Sequence, residues 1–135
     1  MSWDACAFRV PAEFATVQSI PGDFQPPVLG DRPYVIEQIR QVVAEIDASD
    51  PSWIVIDGDG CSIEISLAKE QIDSLSFFCR GDGDAVIGIL WAVARKLSLR
   101  VIDLQSSEFL EPGAEAEASF ARWRTYRDQV VGDQA

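Results

Sequence analysis

Trp53-Ile54-Val55-Ile56-Asp57-Gly58-Asp59-Gly60-Cys61-Ser62-Ile63-Glu64-Ile65-Ser66-Leu67 is the stretch on which the fold turns. Residues 53–56 are apolar without a break, the pattern of a central strand covered on both faces. From Ser62 the pattern alternates: Ile63, Ile65 and Leu67 point inward, while Ser62, Glu64 and Ser66 point outward. Between the two lies Asp57-Gly58-Asp59-Gly60, an acidic tight turn with two glycines available for positive φ. The stretch therefore reads as a hairpin. After a turn near residues 68–71, Leu75, Phe77 and Cys79 alternate with Ser74 and Ser76 and add a third strand to the meander.

Toward the N-terminus, residues 34–46 carry a helical stripe of Val35, Ile36, Ile39, Val42, Val43 and Ile46. Asp31 is placed to cap this helix, Pro33 suits its first turn, and Asp50-Pro51 predicts its end near Ala48. Residues 11–33 gather Pro11, Pro21, Pro26 and Pro27 with Gly22 and Gly30, which predicts a long loop. Ser2 to Val10 alternates loosely and reads as a first strand.

On the C-terminal side, Arg80-Gly81-Asp82-Gly83-Asp84 is a second acidic glycine turn, with Asp84 the expected cap of a helix over 85–97. That helix is apolar nearly all round, so it should be the most buried one. A strand over 100–104, a turn at Ser106-Ser107, a short segment 108–110 and a third helix opened by Pro112-Gly113 complete the chain. In the third helix Ala116, Phe120, Trp123 and Val130 share one face, Arg122, Arg124 and Arg127 lie toward its end, and residues 132–135 read as a frayed tail. The prediction is one α+β domain over residues 1–135, with a mixed, mainly antiparallel sheet of about five strands and three helices in the order β-α-β-β-β-α-β-(β)-α. The last helix is expected to dock by Phe120 and Trp123.

Composition narrows the chemistry. The chain carries 22 acidic and 11 basic residues, a net charge of −11. Such a field repels phosphate backbones and anionic membrane surfaces and attracts basic proteins, so neither nucleic acid nor membrane is an expected partner. The sequence contains no histidine. That excludes a Ser-His-Asp triad, a Cys-His dyad and imidazole metal ligation. Cys6, Cys61 and Cys79 are odd in number, widely spaced and set among apolar neighbours, as small buried hydrophobes would be. No cofactor and no metal is expected. A calcium loop counted from Asp57 puts Cys61 at position five and Ala68 at position twelve; counted from Asp82, it puts Val86 and Val93 there. Neither set can ligate. Met1 to Val10 lacks a signal-peptide pattern, and the apolar run 85–94 is about half a membrane span, which predicts a cytoplasmic protein. A carboxylate-only active site among Asp57, Asp59, Asp82, Asp84 and Asp103 stays open as an alternative.

The opening Met1-Ser2-Trp3-Asp4 before an apolar strand resembles a group of small bacterial α+β proteins that begin Met-Ser-Tyr-Asp, with Trp3 in place of the tyrosine. The stretch from Leu97 to Gln105 is also similar to that group, which there has a helix end and a strand finishing in Asp-x-Gln. The wider class includes immunity proteins of bacterial polymorphic toxins. The resemblance implies no catalytic residues. Together with the lack of histidine and the charge of −11, it points to a non-catalytic binding protein that neutralises a basic toxin domain. The acidic glycine turns, which would keep their carboxylates exposed, single out Asp57, Asp59, Asp82 and Asp84 as the expected contact residues. The alternative is a small-ligand or housekeeping domain in which the 11–33 loop folds over the sheet and Trp3, Phe14 and Phe24 line a pocket.

Overall fold

The computed structural model describes residues 3–43, 45–58, 60–67, 69–81 and 83–110, with the side chains of Trp3, Asp84 and Ala85 outside that description. The expected third helix lies outside the described residues. Nine strands and two α-helices follow one another within them: β1 (Trp3–Phe8), β2 (Gly30–Asp31), α1 (Arg32–Arg40), β3 (Asp47–Asp50), β4 (Trp53–Gly58), β5 (Cys61–Ser66), β6 (Gln71–Ile72), β7 (Leu75–Gly81), α2 (Gly83–Leu97), β8 (Arg100–Asp103) and β9 (Glu108–Leu110). The arrangement is α+β, but the expected fold, one mixed sheet of about five strands with three helices, is overturned: sheet dominates the described residues, and they hold two α-helices. The main sheet has seven strands in the order β3-β4-β5-β7-β1-β8-β9, and a second sheet pairs β2 with β6. Every pairing is antiparallel rather than mixed.

Three departures have physical reasons. The helix expected to reach Ala48 stops at Arg40, where the amides of Val42 and Val43 both turn back to the Ile39 carbonyl. Paired β-branched residues favour that exit, and it frees 47–50 to hydrogen-bond along the otherwise bare edge of β4. The apolar run 53–56 is not a central strand: β4 lies one from the edge, with Ile54 and Ile56 buried and Trp53 and Val55 half-buried. The centre belongs to β7, and β1 is inserted between β7 and β8.

Other local rules act as read. Asp31 Oδ1 accepts from the Tyr34 amide at 3.0 Å and caps α1, with proline in the first turn. Gly60, in the two-residue connection of β4 to β5, has φ +75°.

Register assigns the two faces. Ala5, Ala7, Ile54, Ile56, Cys61, Ile63, Ile65, Leu75, Phe77, Cys79 and Val101 share the face that forms one cluster with Val35, Ile36 and Ile39 of α1 and Val86, Leu90, Val93 and Leu97 of α2. The opposite face carries Cys6, Phe8, Trp53, Val55, Glu64, Phe78, Arg100, Ile102 and Phe109. Over its β1–β8–β9 end lies the 11–24 loop. Arg100 Nη1 donates to the carbonyls of Pro11 and Phe14 at 3.0 and 2.7 Å, and its guanidinium sits 3.8 Å from the Phe109 ring centroid. Phe24 meets the rings of Phe8 and Phe14 at 6.4 and 6.0 Å. No described helix is long and apolar enough to cross a membrane.

Candidate functional site: two acidic turns at one end of the sheet

The β5–β7 register pairs Cys61 with Gly81 and so sets the turn after β4 beside the turn after β7. The approach is close. Gly81 has φ +95°, and a Cβ there would collide with the Gly60 carbonyl oxygen and lie 2.8 Å from Cys61 Cα. Only glycine takes both that backbone conformation and that packing without strain. Gly60 and Gly81, each part of an acidic glycine motif, are thus brought side by side. Asp57 is exposed at the end of β4; Asp59, Asp82 and the side chain of Asp84 lie outside the described residues, while the Asp84 backbone is in the first turn of α2.

The edge strand β3 carries two carboxylates that the sequence reading missed, with Asp50 opposite Trp53 at the end of β4 away from the acidic turn. β3 presents Asp47 and Asp50, both exposed. Asp47 accepts from the Ser49 hydroxyl at 2.7 Å and its amide at 3.0 Å, and Asp50 does the same with Ser52. These bonds hold both carboxyls below the usual carboxylate range. The signal was present as Asp-x-Ser written twice, a side-chain-to-backbone turn motif. A charged edge strand also discourages the pairing of another chain along β3.

Asp103, the remaining carboxylate of interest, has a structural task. It is 4% exposed and accepts from the Gln105 amide at 2.9 Å and the Ser106 hydroxyl at 3.1 Å, which fixes the β8–β9 turn. The thiols are equally occupied. Cys61 and Cys79 are buried in the core and Cys6 is half-buried, none of the three in a disulfide. Burial, aided by the Asp4 carboxylate and Cys61, pushes the Cys79 thiol up to about 12, so it is not a thiolate nucleophile at neutral pH. Among the described residues no three His, Cys, Asp or Glu side chains gather to hold a metal.

The aromatic residues of the alternative reading are placed as follows. Phe14 packs edge-on against Phe24, and Phe24 also lines an open cleft of about 340 Å³ with Arg9, Val10, Pro11, Gln25, Pro27 and Ser98. Phe14 is not among the residues lining it.

The site and the fold together define an α+β protein whose antiparallel sheet is backed by two helices and ends in a double acidic turn. No protein-family model and no curated protein matches the chain.

Proposed function

We propose that the protein is a non-catalytic binding protein that meets a basic partner through the double acidic turn, in the manner of an immunity protein neutralising a basic toxin domain. The contact of Gly81 with Gly60 and Cys61 carries this reading, because it sets the ends of the two acidic glycine motifs side by side. The net charge of −11, the absence of histidine and the resemblance to small bacterial α+β proteins, whose wider class includes immunity proteins, support it. Carboxylates at such a rim act mainly on the association rate, steering a cationic partner before it docks. Pull-down from the native host at low salt is expected to retain a basic protein. Replacing Asp57, Asp59, Asp82 and Asp84 by lysine is expected to slow its association about 10- to 100-fold at low salt, and less at high salt. The control reverses Glu13, Glu70, Asp23 and Glu108, four exposed acids elsewhere that change the net charge equally. Equal slowing in both variants shows a global field with no local site, and retention of no basic protein ends the proposal.

A second reading rests on the cleft beside Phe24. Its volume of about 340 Å³ reaches the lower range of small-molecule sites, and its wall combines Val10, Pro11, Phe24 and Pro27 with the Arg9 guanidinium. A thermal-shift screen of metabolites separates the two readings. Several degrees of stabilisation by one compound class, lost in Phe24→Ser, supports the cleft; a flat screen removes it.

A further inference from the structure

Residues 9–11 leave β1 beside the start of β8, because the register sets Phe8 opposite Arg100. That brings Arg9 against the end of α2, where its Nε donates to the Leu97 carbonyl at 3.1 Å. Ser98 closes the same helix with φ +58°, while the Leu99 amide returns to the Ala94 carbonyl at 2.8 Å. Glycine is the usual residue at such a helix end, and a serine there carries strain that glycine would not. Arg9 and Ser98, with Gln25, are the polar residues lining the cleft of about 340 Å³; Val10, Pro11, Phe24 and Pro27 are the apolar ones. The Phe24 ring is held in turn by Phe8 and Phe14. None of the lining residues is acidic, so no carboxylate of the lining competes for Arg9. Among the described residues the terminal nitrogens of Arg9, the Ser98 hydroxyl and the Gln25 side-chain amide meet no hydrogen-bonding or ionic partner.

We propose that this cleft binds a small monocarboxylate with an apolar body, the carboxylate meeting Arg9 and Ser98 and the body lying among Val10, Pro11, Phe24 and Pro27. The proposal rests on the cleft being a ligand site and names the class of ligand. Arg9 selects the carboxylate. With Nε anchored on Leu97, its two terminal nitrogens remain as a planar donor pair that matches two carboxylate oxygens. The Ser98 hydroxyl adds a further donor, which accounts for serine at a position where glycine would be less strained. The charge of the ligand is held to one. Each further negative charge would add repulsion from a chain of −11, with no second lining cation to offset it. The walls select the body, since two prolines and a ring packed against two others present apolar surface that is fixed before the ligand arrives.

The test titrates the isotope-labelled full chain with phenylacetate and isovalerate, and with phenylacetamide and isovaleramide, which keep the body and lose the charge. The backbone amide resonances of Val10, Gln25 and Ser98 are expected to shift with the acids, and with about tenfold weaker affinity for the amides. ATP and inorganic phosphate are expected to bind more weakly than either acid. Arg9→Gln is expected to remove the preference for acid over amide. Ser98→Gly is expected to weaken the acids about threefold while the melting temperature stays at or above that of the wild type, which separates a lost contact from a lost fold. Equal affinity for acids and amides leaves the cleft a ligand site and overturns the carboxylate. Tighter binding of ATP than of either acid overturns the single charge. Unchanged acid affinity in Ser98→Gly overturns the role of that hydroxyl. No shift at Val10, Gln25 and Ser98 with any of these probes removes the proposal and the ligand-site reading beneath it.

Discussion

Ile65→Asp is expected to abolish soluble expression, while Glu64→Lys, one position away, leaves the protein folded. Ile65 is 0% exposed, pairs with Ile54 on one side and Phe77 on the other, and sits in the cluster closed by the helices. Burying the isoleucine side chain contributes about 1.5–3 kcal/mol. An unpaired carboxylate in its place adds a penalty of several kcal/mol, comparable to the whole stability of roughly 5–15 kcal/mol of a domain. Glu64 points to the opposite face and is half-buried, and a lysine stem there can lie along the sheet with its ammonium in water. Ile65→Val grades the effect, with an expected loss of about 0.5–1.5 kcal/mol by urea unfolding. Equal tolerance of I65D and E64K overturns the register of β5.

Gly81→Ala is expected to lower stability by about 3 kcal/mol or more and the melting temperature by roughly 10 °C. Two costs add at this position. An L-residue at φ +95° is strained, and the new Cβ meets the Gly60 carbonyl and the Cys61 backbone, neither of which can rotate away as a side-chain tip would. Gly88→Ala supplies the contrast. Gly88 is an exposed residue inside α2, and a Cβ there meets nothing within 4 Å. That change should raise stability by about 0.5–1 kcal/mol through helix propensity. Differential scanning calorimetry of both variants checks the signs. If G81A unfolds like the wild type, the two acidic turns are not in contact, and the proposed binding surface loses its basis.

Much of the fold was legible because its signals are local. The alternation of Ile63, Ile65 and Leu67, the glycine of the β4–β5 turn and the cap at Asp31 each act within a few residues, and each appears where expected. The strands that escaped notice are held by backbone pairing alone. Asp47-Ala48-Ser49-Asp50 has poor strand propensity and no apolar alternation, and β2 and β6 are two residues long. Nothing in such segments declares a partner; β3 exists because β4 offers it a free edge. Face assignment failed for a related reason. An apolar run cannot say which of its residues a helix covers, so Trp53 and Val55 read as core although they lie on the side away from both helices. The acidic glycine motifs were visible in the sequence, but the approach of Gly60 to Gly81 depends on the Cys61–Gly81 pairing, a long-range fact.

The position of β1 sets a condition on how the chain can be made. This strand is synthesised before the other described strands, yet both of its neighbours, β7 and β8, come late, and Ala5 finds its second partner only at Asp103. Until then its two edges are bare, and Ala5, Ala7 and Phe8 have no sheet to join. The β4–β5–β7 meander can assemble earlier on its own local contacts, so it must stand with one side open and wait for β1 to return. The proline-rich 11–29 segment between β1 and β2 makes that wait tolerable. It resists premature helix or strand formation and is long enough to swing the strand into the gap when β8 arrives.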